Sequence, residues 1–199
     1  MLPSFSSGNL IRVDSRKVCM QSNQKSQGCV GVILAGGRGT RMRSETPKVI
    51  HQVLGRPMLD WVVAALSKAG VDQKVIVTSE NIKGHIRDHY QDTVQGCVVQ
   101  KNQLGTADAV AASLVLFPDV SHPTYCAAEK VWSQTMAETP HGVLVCAGDA
   151  PAIDPGFIRS FIETCQEDDV DVGVVGMQVP DPTGYGRLIL DPSDQTSQA

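Results

Sequence analysis

The chain has 199 residues, 42% of them apolar and 19% charged, with a formal net charge of −4. That length supports one domain with a proper core, and the balance is ordinary for a soluble globular protein. The negative charge argues against a broad nucleic-acid-binding surface, and no apolar run approaches the length of a membrane-spanning helix.

Residues 1–28 are rich in Ser, Asn and Gln, and Arg12, Arg16, Lys17 and Lys25 face a single acid, Asp14. No apolar h-region marks a signal peptide, and no periodic element is evident. The stretch reads as a disordered or non-native leader, although its basic, acid-poor composition also fits an organelle transit peptide. The six cysteines, Cys19, Cys29, Cys97, Cys126, Cys146 and Cys165, form no CxxC pair and no spaced Cys/His set. They predict no zinc site and a reduced, cytoplasmic setting, with Cys97 and Cys146 as buried thiols inside strands.

Val30 to Leu34 is a short β-branched run that reads as a buried strand. It empties into Ala35, Gly36, Gly37, Arg38, Gly39 and Thr40, where little side-chain bulk keeps backbone N–H groups from an anion. Arg38, Arg41 and Arg43 follow, then Lys48 after Pro47. A P-loop is excluded because no Lys follows these glycines, and in a dinucleotide fingerprint the third glycine would fall at Met42. An ordinary tight βα turn explains the glycines equally well. The pair Arg41 and Lys48 adds what such a turn does not need, fixed positive charge suited to a polyphosphate.

Helices are predicted at Met58–Ala69, Ile82–Tyr90, Thr106–Phe117 and Phe157–Cys165, and strands at Lys74–Thr78, Gly96–Val99 and Val143–Ala147. Asp171–Val179 and Arg187–Leu190 are predicted as fifth and sixth strands. Ser121–His141 has no clear period; a helix over about 127–137 is compatible with it, and His122 and His141 read as loop residues. Strands alternating with helices predict βαβ units and a mainly parallel sheet, with ligands outside the carboxyl ends of the strands. The glycine-rich loop, Gln100–Thr106 and Gly148–Asp149 should therefore converge on one edge.

Four motifs, LAGGRGTRM with PKVIHQVLGRPM, VVQKNQLGTADA, CAGDAP and DPTGYGRLI, then stand in order over roughly residues 30–190. In these the chain resembles the N-terminal uridyltransferase (pyrophosphorylase) domain of bacterial N-acetylglucosamine-1-phosphate uridyltransferase. The resemblance implies a Rossmann-like three-layer α/β/α nucleotidyltransferase fold, glycosyltransferase-A-like, over residues 29–199. It implies transfer of UMP from UTP to N-acetylglucosamine 1-phosphate, giving UDP-N-acetylglucosamine and pyrophosphate for cell-wall peptidoglycan and lipopolysaccharide. Arg41 and Lys48 match the family's basic catalytic pair. Leu34, Ala35, Gly36 and Gly37, with Lys48, Gln100, Gly105, Thr106, Ala147 and Gly148, match its nucleotide contacts. Gly186 matches its sugar contact and Asp149 its Mg²⁺ ligand. The implied partners are UTP and N-acetylglucosamine 1-phosphate, with no nucleic acid and no membrane, and a homo-oligomer is allowed.

The chain departs from that pattern in three places. Asp108 stands where the family often has His, Ser121–His141 is longer than the usual connection, and Ala199 falls soon after GYGR. The family's later Glu and Asn sugar contacts and its second metal ligand lie beyond that point, as does its acetyltransferase β-helix. The domain is expected to be truncated at its C-terminus, with nucleotide binding retained and turnover poor. Two other readings stay open: a nucleotidyltransferase of the same fold for another nucleotide or phosphate, and a catalytically incomplete nucleotide-binding module.

Overall fold

The computed structural model describes residues 10–12, 28–37, 44, 46–102, 104–117, 128–134, 140–168, 170–177, 179–186 and 188–189. The chain divides into two compact units, Ser22–Ile162 and a second made of Met1–Gln21 with Glu163–Ala199. In the second unit, β1 (Leu10–Arg12) pairs antiparallel with a late strand, Gly173–Val175. A short strand thus forms within the stretch where the sequence showed no element, held by a partner far along the chain.

The larger unit is built outward from β2 (Cys29–Leu34), where Val30, Val32 and Ile33 are fully buried. A strand covered on both faces needs a continuous apolar run rather than an alternating one, and this run is what made β2 legible. After the glycine-rich loop, Lys48–Ile50 forms a single 3₁₀ turn. A hairpin of β3 (Gln52–Val53) and β4 (Arg56–Pro57) follows, and Leu54 and Gly55 both take positive φ at its tip, 52° and 77°. Trp61 Nε1 donates to Val53 O at 2.9 Å, which ties the hairpin to the next helix.

That helix, α1 (Met58–Lys68), buries Leu59, Val62, Val63, Ala65 and Leu66 along one stripe. It stops at Gly70, whose φ is 87°, with Gly70 N donating to Ser67 O and Val71 N to Leu66 O. Glycine is suited there because the two reversed bonds need a left-handed residue. α1 also presses close to β2. A Cβ on Gly31 would lie 3.2 Å from both Leu66 Cδ1 and Val71 Cγ1, so a bare strand residue lets the helix seat. Full burial of a side chain such as Leu66 contributes about 2 kcal/mol.

β5 (Gln73–Thr78), α2 (Lys83–Tyr90), β6 (Gly96–Gln100) and α3 (Thr106–Ser113) come next. β7 (Ala128–Ser133), β8 (Gly142–Ala147), α4 (Pro155–Glu167) and β9 (Gly173–Val175) complete the described elements. The main sheet runs β7–β6–β5–β2–β8, with β6, β5, β2 and β8 parallel and β7 antiparallel at one edge. One face carries Ile33, Ile76 and Cys97 under α1 and α2; Ile158 of α4 joins the same cluster. The other carries Val30, Val32, Val75, Val77 and Val98 under Ala109 and Ala112 of α3 and under Leu116 and Phe117. Helices on both faces of a mainly parallel sheet make the expected three-layer α/β/α fold. Cys97 and Cys146 are buried free thiols, and desolvation pushes each thiol pKa up to about 12.

Four expectations need correction. The segment compatible with a helix at 127–137 holds strand β7 instead, because Val131 and Trp132 pack against the core as β7 pairs with β6. Ala, Glu and Lys at its start have good helix propensity, but sheet pairing and burial override it. The helix expected to reach Phe117 is α-helical only to Ser113, tightens to a 3₁₀ turn over Leu114–Leu116 and is extended at Phe117. The fifth strand is confined to Gly173–Val175 and pairs with β1, outside the main sheet. The sixth is not formed at Leu188 and Ile189, which are exposed outside any strand, while Arg187 and Leu190 lie outside the described residues.

Candidate active site at the carboxyl edge of the sheet

Parallel pairing brings the carboxyl ends of four strands together, through the partners Leu34 and Val77, Leu34 and Ala147, and Thr78 and Val99. The three loops singled out in the sequence therefore leave the same edge. Leu34, Ala35, Gly36 and Gly37 form the exit from β2, and Ala35 N extends the ladder by donating to Val77 O at 2.7 Å. Gly36 packs against the end of β5, where an added Cβ would lie 3.2 Å from the Thr78 carbonyl carbon and oxygen. Gly37 is exposed, and a Cβ there would meet nothing within 4 Å.

The exit from β8 closes onto the same loop. Gly148 N donates to Leu34 O at 2.9 Å, and a Cβ on Gly148 would stand 3.0 Å from that oxygen. It would also be 3.3 Å from Val49 Cγ1, so buried Val49 pins the Lys48–Ile50 turn above Gly148. The residues next to these two contacts then meet. Lys48 Nζ lies 2.6 Å from Asp149 Oδ2, with both side chains about one-third exposed (39% and 32%). Ala147 is exposed beside them.

On the other side of β2, Gln100 ends β6 and is buried. Its Nε2 donates to Gly105 O at 3.0 Å and to Asp108 Oδ2 at 2.6 Å. Gly105 takes a φ of 120°, which strongly favours glycine, and Thr106 opens α3 on the exposed side. Gln100 Oε1 is turned toward the glycine-rich loop, 3.6 Å from where a Gly36 Cβ would stand. Toward the β7 edge of the sheet, Lys83 Nζ bridges Glu80 Oε1 at 2.6 Å and Glu129 Oε1 at 3.0 Å. Hydrogen bonds to these acids raise the Lys83 pKa, and the Lys83 contact lowers that of Glu129. The network ties edge strand β7 to the start of α2.

Leu34–Gly37, Lys48, Gln100, Gly105, Thr106, Ala147, Gly148 and Asp149 are thus gathered on one sheet edge. Arg41 lies outside the described residues. Gly186 is described in the other unit, in an exposed turn where Tyr185 N donates to Pro182 O at 3.1 Å. Sequence reasoning left Asp108 unexplained; its signal was an acid three residues after the Gly105 bend. Among the described residues no three His, Cys, Asp or Glu side chains are grouped to hold a metal. One carboxylate is nevertheless enough for magnesium, which takes one or two from protein and completes its shell with phosphate and water. Asp149, exposed in part and beside a cation, fits that role.

The chain matches the MobA-like NTP transferase domain over residues 31–197, which covers every loop just described. It belongs to that family. Among curated relatives, it is 38% identical over 165 residues to the bifunctional protein GlmU of Parvibaculum lavamentivorans, covering 82% of this chain and 32% of that protein. It is 35% identical over 167 residues to the same-named protein of Caldanaerobacter subterraneus, covering 82% and 31%. This NTP transferase chain therefore spans about a third of the length of those relatives. Among solved structures, the crystal structure of Rv0371c from Mycobacterium tuberculosis is similar with a TM-score of 0.52 at 22% identity, over 71% of this chain and 62% of that one. A nucleotidyl transferase from Methanothermobacter (Mth528) gives a TM-score of 0.50 at 21% identity, over 69% and 58%. These two agree with the Rossmann-like α/β/α fold. Among the described residues no helix is long and apolar enough to cross a membrane.

Proposed function

We propose that this NTP transferase domain transfers UMP from UTP to N-acetylglucosamine 1-phosphate, with Mg²⁺, giving UDP-N-acetylglucosamine and pyrophosphate. The observation that carries the reading is the pairing of Lys48 with Asp149 at 2.6 Å, beside the glycine-rich loop and on the same edge as Gln100. A cation, a carboxylate fit for Mg²⁺ and a hydrogen-bonding amide are the three things a nucleoside triphosphate needs from such an edge. The two curated relatives described above, both named bifunctional protein GlmU, agree with the resemblance that suggests this chemistry.

In this reading a phosphate oxygen of the sugar phosphate bonds to the α-phosphorus of UTP as the bond from that phosphorus to the bridging oxygen breaks. The electron pair leaves with pyrophosphate. No protein nucleophile is required, so the work is positioning and charge stabilisation. Backbone groups of Leu34–Gly37 hold the nucleotide, and Lys48 steadies the phosphates, a role the resemblance also gives Arg41. Gly105, Thr106, Ala147 and Gly148 line the nucleotide and Gln100 reads the base, while the sugar contact is the role that the resemblance gives Gly186. Asp149 would hold Mg²⁺, which supplies neutralisation of the triphosphate charge when bound.

The test pairs calorimetric titration of the purified chain with Mg-UTP and an assay of pyrophosphate release with N-acetylglucosamine 1-phosphate. UTP should bind in preference to CTP, GTP and dTTP, and pyrophosphate release should need the sugar phosphate. Equal use of CTP, or of another acceptor such as glucose 1-phosphate, would replace this reading with a related transferase.

A further inference from the structure

The sequence left Asp108 as an acid near phosphates with no role. Its position is specific. Asp108 is the third residue of α3, and its Oδ2 accepts both from Gln100 Nε2 at 2.6 Å and from Leu104 N at 3.3 Å. The Gln100 amide has two hydrogens, and the second goes to Gly105 O at 3.0 Å. A carboxylate and a peptide carbonyl are both acceptors, so the NH₂ end of Gln100 must face them. The amide cannot turn over without setting its own oxygen against those two acceptors. What Gln100 presents toward the Gly36 side is therefore Oε1, an acceptor only.

We propose that Asp108 sets base choice in this domain by fixing Gln100 as an acceptor, so that the pocket selects a base with a ring N–H over one with a bare ring nitrogen. The proposal rests on Gln100 meeting the base, as in the function proposed above, and adds the residue that decides which base. Uracil carries a donor at N3, flanked by two carbonyl acceptors. Cytosine carries an acceptor at N3, which would face Oε1 lone pair to lone pair. An unlocked glutamine could serve either base by turning its amide. A locked one serves uracil. Burial strengthens the discrimination, because Gln100 is only 7% exposed and a mismatched pair there finds little water.

Asp108 acts through Gln100 and is a positioning residue. The experiment compares Mg-UTP and Mg-CTP affinities by calorimetry in the unaltered chain, Asp108→Ala and Asp108→Glu, with melting temperatures measured alongside. Alanine removes one of the two acceptors that hold the NH₂ end, so the amide can turn that end toward a ring acceptor and the preference for UTP over CTP should fall about ten-fold. Glutamate keeps the acceptor and should restore most of it. A purely structural role would weaken both nucleotides together and leave the ratio alone. An unchanged ratio in Asp108→Ala, with the unaltered chain still preferring UTP, overturns the lock and leaves the base-pocket reading standing. An unaltered chain that binds neither nucleotide, or both equally, overturns the base-pocket reading and the lock with it.

Discussion

Lys48 Nζ stands 2.6 Å from Asp149 Oδ2, so the cation that closes the glycine-rich loop is paired with the carboxylate that follows β8. Both side chains remain about one-third exposed (39% and 32%), and pairs of that kind contribute only about 0–1 kcal/mol to stability. Fold stability is therefore a weak reason for the two to be together. A site that takes in a metal and a polyphosphate gives each group a partner of its own.

The first prediction separates those two explanations. Lys48→Ala and Asp149→Asn should each leave the melting temperature nearly unchanged, since each removes only one solvent-screened pair. Turnover should fall by about 100-fold or more in either variant, the usual scale for losing a group aimed at developing charge. Asp149→Asn should also raise the magnesium concentration needed for half-maximal rate. A large fall in melting temperature with magnesium dependence unaltered would make the pair a structural clasp.

The second prediction uses two adjacent glycines. A Cβ on Gly36 would meet the Thr78 carbonyl carbon and oxygen at 3.2 Å, and a strand end cannot yield as a side-chain tip can. Gly36→Ala should therefore cost stability, on the order of 1 kcal/mol as for mild overpacking, together with nucleotide affinity. Gly37→Ala meets nothing within 4 Å and should leave the melting curve in place. If the phosphates lie along this backbone, Gly37→Ala will weaken UTP binding alone. Paired melting curves and titrations check both variants, and equal melting losses would refute the distinction.

The third prediction concerns pH. Desolvation lowers the His85 pKa below the ordinary histidine range, helped by the neighbouring charge of His89 and opposed by Asp88 and Asp60. Its ring stacks on His89 with centroids 4.0 Å apart, and its Nε2 is buried without a hydrogen-bond partner. The folded state thus takes up the proton less readily than the unfolded chain, and stability must fall as pH drops through the unfolded pKa. Between pH 7.5 and 5.5, above the carboxylate range, the melting temperature should decline less steeply in His85→Gln than in the unaltered chain. Parallel slopes would show that His85 contributes nothing.

The elements that could be read in advance were those whose own residues carry the pattern. β2, β5 and β6 are apolar runs buried or half-buried along their length, β8 is an apolar run whose alternate residues are exposed, and each was placed within a residue at either end. α1 was fixed by its buried stripe and by Gly70. β7 was missed because Ala128, Glu129 and Lys130 suit a helix, and only pairing with β6 makes them a strand. The β3–β4 hairpin was missed because its tip is Leu54–Gly55, and a left-handed leucine lacks the usual Asn-Gly or Asp-Gly signature. At the site, the gathering of loops followed from parallel topology alone. The link between Gln100 and Asp108 did not, because it depends on one helix start reaching back to one strand end.

The order of strands in the sheet also bears on the order in which the site comes into being. β2, α1 and β5 follow one another with only the Lys48–Ile50 turn and the β3–β4 hairpin between, whereas β8 joins β2 only after β5, β6 and β7 have been passed. Closing so long a loop carries an entropic cost that the local unit does not bear. Cys146→Ala in β8 should accordingly speed unfolding more than it slows folding, which stopped-flow kinetics can resolve. During synthesis Lys48 leaves the ribosome well ahead of Asp149, so the glycine-rich loop is exposed with an unneutralised cation until β8 docks. On the function proposed above, a nascent chain in that interval would offer its cation to phosphate before the carboxylate proposed for metal is in place.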